Sequence, residues 1–158
     1  MRSYILSIAP ALRVIRTPVN LASLPNGPYV SFTPGLRLPL ATNVDTYASA
    51  SRSIKRAEQM TFQIDCYGEG ARDLAEILSA LYRDQYAVEQ LATSNLDIAP
   101  LYAGDVRQMP FVDDADQYEE RYSFDIFLQV NSTIISSAQS CNMLGINILS
   151  VDATYPPV

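Results

Sequence analysis

The sequence predicts an α+β domain: a mostly antiparallel sheet of about four strands, one main amphipathic helix packed on it, and a long hairpin or extended arm. Three observations carry this. Met60, Phe62, Ile64 and Cys66 alternate with Thr61, Gln63 and Asp65, the period of a strand with one buried face. Tyr122, Phe124, Ile126, Leu128 and Val130 repeat the pattern against Arg121, Ser123, Asp125 and Gln129. Between these runs, Leu74, Ile77, Leu78 and Leu81 fall at i, i+3, i+4 and i+7, an apolar stripe on a helix over 71–82. A helix that follows a strand buries both apolar faces by packing back onto the sheet. The chain has 158 residues, the size of one domain, and 48% of them are hydrophobic, enough for a core.

In chain order, residues 2–12 can form a short helix. Pro10, Pro18, Pro25, Pro28, Pro34 and Pro39 crowd the first 39 residues and predict an extended N-terminal segment over 1–28, with a turn at Pro25–Pro28. Tyr29–Thr33 reads as a strand stopped by Pro34 and Gly35. The small residues Tyr47–Ser53 read either as the tip or flank of a hairpin joining 36–46 to a strand over 54–66 or equally as a flexible loop. Gly68 and Gly70 end that strand, and the helix continues or restarts through Val88 and Leu91. Residues 99–118 read as irregular, and 119–130 as a long central strand in which Phe127 breaks the polar face and suggests partial cover or an interface. A polar stretch follows over 131–142, then a short closing strand over 145–148 and a flexible tail over about 151–158.

Composition excludes whole classes of chemistry. There is no histidine, which removes Ser-His-Asp and Cys-His catalysis and histidine-ligated zinc. Lys55 is the one lysine and the net charge is −6, so there is no basic footprint for gripping nucleic acid and no polybasic membrane patch. No apolar run approaches a membrane span, and Tyr4–Ala9 is too short for a signal peptide. A cytosol-like compartment of synthesis is expected. Cys66 and Cys141 read as reduced thiols packed as small hydrophobes.

Gly68-Glu69-Gly70 precedes a helix but lacks a lysine and carries an acid where an anion would sit, so it reads as a turn. Asp113, Asp114, Asp116, Glu119 and Glu120, with Asp105 and Asp125, put seven of seventeen acids within twenty-one residues. Calcium-loop spacing is absent, and a solvated or pore-facing charged loop is the first reading; a cation site and carboxylate catalysis are weaker ones. Arg107 and Arg121 flank the cluster and can pair with carboxylates in the chain or across a subunit boundary. Ten tyrosines and no tryptophan suit interfaces.

An ordered series of segments resembles one family. It includes Val14-Ile15-Arg16, Asn26-Gly27-Pro28-Tyr29-Val30, Leu40-Ala41-Thr42-Asn43-Val44, Gln63-Ile64-Asp65-Cys66-Tyr67-Gly68, Leu81-Tyr82-Arg83-Asp84-Gln85-Tyr86-Ala87, Asp105-Val106-Arg107-Gln108-Met109-Pro110-Phe111 and Asp116-Gln117-Tyr118-Glu119-Glu120-Arg121-Tyr122. Over about residues 14–131 the chain is similar to the neck or tail terminator proteins of tailed bacteriophages and related prophages. The resemblance implies a virion protein of the tail and neck that is not an enzyme and uses no cofactor or metal. It implies a ring, generally a hexamer, that caps the tail tube, stops its growth and presents a joining surface to the head. The partners implied are further copies of the chain, the tail tube protein, a head-completion or connector protein and, in a contractile tail, the sheath. Genomic DNA would pass through without specific binding, and no membrane is involved. Tyr47, Arg52, Arg107, Tyr118, Arg121 and Phe127 are the candidate interface residues, and Asp113, Asp114, Asp116, Glu119 and Glu120 the candidate lumen-facing acids. The alternatives are a tube or head-completion subunit of the same particle, or a small divalent-cation-dependent enzyme.

Overall fold

A computed structural model describes residues 1–17, 25–112 and 118–138. The elements are α1 (Arg2–Ile8), β1 (Arg13–Arg16), β2 (Tyr29–Pro39), β3 (Val44–Ala48), β4 (Ser51–Tyr67), α2 (Ala71–Tyr82), α3 (Gln85–Ala92), β5 (Ile98–Ala103), β6 (Arg107–Gln108), β7 (Phe111–Val112), β8 (Tyr118–Glu119) and β9 (Arg121–Ser137). Seven strands make one sheet along the path β1-β2-β4-β9-β5, with β3 on β4 and β6 on β9; β7 and β8 pair separately. β1 runs parallel to β2, and the other pairs are antiparallel.

This corrects the expectation of about four strands and one main helix: the sheet is mixed, has seven strands and carries three helices. The additional strands are short edge pieces whose sequences do not alternate. β5 includes Pro100, which an edge strand tolerates because its outer side needs no donor. Pro34 and Gly35 do not stop β2. Its register shifts between Pro34 and Arg37, a bulge that absorbs them, and the strand runs to Pro39. Residues 131–137 of the expected polar stretch continue β9, and 99–103 and 107–108 of the expected irregular run are strand in β5 and β6. The expected closing strand at 145–148, the C-terminal tail and Cys141 lie outside the described residues.

The sheet is built on β4 and β9, each of seventeen residues, paired without a break from Ser51↔Ser137 to Tyr67↔Arg121. Directly opposed residues share a face. One face therefore carries Cys66, Ile64, Phe62 and Met60 beside Tyr122, Phe124, Ile126 and Leu128. The helices pack on this face, with α2 over β9 and β4, α3 over β5, and α1 against α3. The core joins Val30, Ile64, Cys66, Phe124 and Ile126 to Ile5, Leu78 and Leu91.

The buried stripe of α2 is Ala71, Ala75, Leu78, Ser79 and Tyr82, turned from the expected one, and Ile77 is half exposed. Alanines let the helix axis approach the sheet closely, a role that hydrophobicity alone does not reveal. The helix does restart: Asp84 caps α3 by accepting from the Tyr86 amide, and Leu91 is buried while Val88 is exposed. Gly68 has φ +85°, and a Cβ there would lie 3.1 Å from Pro28 Cα, so the β4–α2 turn requires glycine.

Among the described tyrosines, Tyr4, Tyr29 and Tyr82 are buried, whereas Tyr47, Tyr102 and Tyr118 are exposed. The Tyr4 hydroxyl donates to the Leu78 carbonyl at 2.8 Å, and that of Tyr82 to the Phe127 carbonyl at 3.0 Å. The Tyr4 and Tyr82 rings meet edge to face at 5.6 Å. Burial raises the pKa of both phenols, and burial beside the Tyr67 phenol pushes Tyr29 up to about 12. An unfolded chain ionises its phenols near pH ~10, so the folded chain holds protons that the unfolded chain loses above that point. The urea midpoint should stay level to about pH 9 and fall steadily between about pH 10 and 12. A midpoint unchanged to pH 12 would contradict the burial of these phenols.

Candidate functional site

The three-stranded arm is the first feature that a single chain leaves unfinished. Beyond Glu58, β4 pairs with β3 on one side (Val44↔Lys55 to Ala48↔Ser51) and with the last third of β9 on the other. A turn at Ser49 and Ala50 closes the hairpin between β3 and β4. No helix covers this part among the described residues. Its base is fixed by charge. Glu58, 7% exposed, accepts from Arg56 at 2.8 Å with Arg37 at 3.8 Å, and Lys55 lies 3.0 Å from Asp97. Asn131 also donates to Asp97 at 2.8 Å, and these two contacts hold the Asp97 carboxyl below its ordinary pKa.

The arm exposes apolar side chains on both faces. On the face away from the helices stand Leu38 opposite Gln59, Val44 opposite Lys55 and Ile135 opposite Ser53. On the helix-side face stand Tyr47 opposite Arg52, and Ile134 opposite Ile54. Ile135 is 74% exposed, Leu36 73%, Tyr47 67% and Val44 63%. Sequence reasoning placed Tyr47 and Arg52 at an interface but missed Leu36, Leu38, Val44 and Ile135. The signal was present in Leu36-x-Leu38-x-Leu40 and in Ile134-Ile135 within a polar stretch.

The six candidate interface residues do not come together. Tyr47 and Arg52 lie on the arm, where Arg52 bonds Asp45 at 2.5 Å and sits over the Tyr47 ring at 5.7 Å. Arg107 reaches Asp125 at 3.1 Å across β6 and β9. Phe127 stacks on Tyr102 at 4.2 Å, which explains its place on an otherwise polar face. Arg121 donates through Nε and Nη2 to Asp65 Oδ1 at 3.2 and 3.0 Å, and lies over Tyr67, which stacks on Tyr29 at 4.4 Å. Tyr118, at the opposite end of the sheet from the arm, is 82% exposed. Each arginine of the acid-rich region thus has an acceptor within its own chain.

Of the candidate lumen acids, Glu119 and Glu120 flank an open cleft of about 530 Å³ with Glu69, Gly27, Pro28, Gly68 and Tyr118. Asp113, Asp114 and Asp116 lie outside the described residues. Among the described residues, no cluster of three or more acid or cysteine ligands could hold a metal ion, and no helix is long and apolar enough to cross a membrane. Cys66 is buried in the core, where burial and then the Asp65 charge push its thiol up to about 12; it is an unreactive core thiol at neutral pH.

A family model described as phage neck terminator protein matches residues 1–155. The chain belongs to this family. No curated protein matches the sequence. Membership makes the chain a structural protein of the phage neck and tail region, associated with tail and head components, as the ordered motifs imply.

Removing Arg121 would leave Asp65, 2% exposed, without its guanidinium partner. Arg121→Met should cost roughly 3 kcal/mol of stability in chemical denaturation, and Arg121→Met with Asp65→Leu should recover most of it. A loss under about 1 kcal/mol in the single variant would show that the Gln63 bond alone satisfies Asp65.

Proposed function

We propose that the chain is a tail terminator subunit. Several copies, six by analogy with the family, close into a ring on the head-proximal end of the finished tail. The ring stops tube growth and offers the head connector its joining surface. The observation that carries this reading is the arm. A three-stranded ribbon with apolar residues on both faces is not stabilised by its own chain, and burying those residues against neighbouring copies removes them from water. Head-to-tail contacts between identical subunits make rings when the rotation closes and open filaments when it does not. A capping subunit presents one face complementary to the tube and another that is not, so further tube subunits find no matching surface. Nothing in this role makes or breaks a bond.

In the same reading the acid-rich stretch between residues 105 and 125 supplies like charge along the passage for DNA. Asp105 and Asp125 face Arg83 and Arg107, so the reading rests on the charge of the other acids in the stretch. Charge at this range repels a phosphate backbone within a screening length of about 8 Å at physiological salt. Reversing Asp113, Asp114 and Asp116 to lysine should slow genome ejection, and unchanged ejection kinetics would reject this placement.

Val44 and Ile135 project from one face of the arm and are exposed in the single chain. Val44→Asp with Ile135→Asp should give a folded protein of single-chain mass by size-exclusion light scattering, where the unaltered protein runs as a multiple. Replacing Thr46–Ser53 by Asn-Gly, which keeps the Asp45↔Ile54 pair and a two-residue turn, should do the same. An intact ring from both variants would reject the arm as the subunit contact.

A further inference from the structure

The arm leaves two other surfaces without a partner, and they are complementary. The first is an open groove of about 460 Å³ on the helix-bearing face, between α1 and the base of the arm. Its floor is Phe32, Pro34, Met60 and Phe62, and its rim is Arg2, Arg16 and Arg37. The floor is only half-buried, because no helix extends over it. Among the described residues neither Arg2 nor Arg16 makes an ion pair, and Arg37 has only a 3.8 Å approach to Glu58, which Arg56 already holds at 2.8 Å. Three little-compensated guanidiniums around an apolar floor are conspicuous on a chain of net charge −6.

The second surface is the end of the sheet where β8 meets β9. Tyr118 is the most exposed large apolar or aromatic side chain among the described residues, at 82%. Glu119 and Glu120 follow it directly, and Glu69 stands across the cleft. Residues 118–120 lie against Gly27, Pro28 and Gly68 of their own chain, at the sheet's end, whereas the groove opens on the face that carries α1.

We propose that the Tyr118–Glu120 edge of one copy docks into the Arg2–Arg16–Arg37 groove of the next. This rests on the ring reading and names a second contact within it, and it moves Glu119 and Glu120 from the lumen to the subunit boundary. The Tyr118 ring covers Phe32, Met60 and Phe62, an aromatic on an apolar and sulfur-bearing floor. The Glu119 and Glu120 carboxylates meet guanidiniums, the pairing that gives the shortest and most directional charged hydrogen bonds. The occupant is a second copy because both halves lie on the same chain with matched character: three acids and an aromatic knob against three arginines and an apolar floor. The contact is heterologous, so it runs around a ring in one direction and like ends repel.

Charge exchange tests it. One variant carries Arg16→Glu and Arg37→Glu; the other carries Glu119→Lys and Glu120→Lys. Each alone sets like charge against like and should run at single-chain mass by light scattering. Mixed in equal amounts, they restore the unlike pairing at every boundary of an alternating ring and should recover the mass of the unaltered assembly. The proposal is overturned if either variant alone assembles as the unaltered protein does, including a groove variant that assembles normally and loses only its binding to purified tails. It is also overturned if the mixture stays dissociated while both variants keep their thermal transitions. Should a reversal unfold the chain, the neutral pairs Arg16→Gln with Arg37→Gln, and Glu119→Gln with Glu120→Gln, should each weaken assembly at least about tenfold, and unchanged assembly would overturn the docking. Unaltered protein that stays a single chain at every concentration would overturn the ring itself, whereas a ring that is indifferent to all four substitutions overturns only this contact.

Discussion

The unbroken pairing of β4 with β9 is the constraint on which the rest depends. Seventeen residues opposed to seventeen make a ribbon of about 55 Å at ~3.3 Å per residue, longer than the three helices can cover. Because opposed residues share a face, the composition of that face changes at a definite place. From Tyr122 and Cys66 to Leu128 and Met60 it is apolar; Cys66, Ile64, Phe124 and Ile126 are buried in the core, and Phe62 and Met60 line the open groove at its margin. At Glu58 it becomes charged, and Arg37, Arg56 and Glu58 gather where cover ends. Beyond them the same two strands continue as an arm. One ladder therefore makes both the core of the monomer and the part that the monomer cannot bury.

The second face of the sheet follows from the same ladder. Gln63, Asp65, Arg121, Ser123, Asp125, Gln129 and Asn131 stand on it, and they bond largely to one another: Gln63 and Arg121 to Asp65, Arg107 to Asp125, and Gln129 to Asn131. Asp65 and Ser123 are nevertheless buried, and among the described residues the Ser123 hydroxyl has no hydrogen-bond partner. The stack of Arg121 on Tyr67 on Tyr29 ends it near the acidic cleft.

Much of this was legible in the sequence, in proportion to how far burial imposes a period. Met60–Cys66 and Tyr122–Val130 alternate because one side meets helices, and these strands were placed from that alternation. Their extensions, 51–53 and 131–137, do not alternate, because both faces of the arm are outside the core and nothing in a single chain selects apolar from polar there. The short strands β1, β5 and β6 form on the edges of a ladder set elsewhere, so Pro100 and Arg107 gave no local sign of them. The α2 stripe was placed on Ile77 where Ala75 is buried, since close packing favours the small side chain. The acids around residue 113 were conspicuous in sequence, but the groove of Arg2, Arg16 and Arg37 was not, because its arginines come from α1, β1 and β2 and only the fold brings them together.

We propose that this chain works by occupying the end of a growing cylinder, through shape and charge alone. The most direct measurement is the length distribution of tails, by electron microscopy, in phage particles made without it. Tails of uncontrolled length, unattached to heads, are the predicted result. Tails of normal length joined to heads would contradict the account.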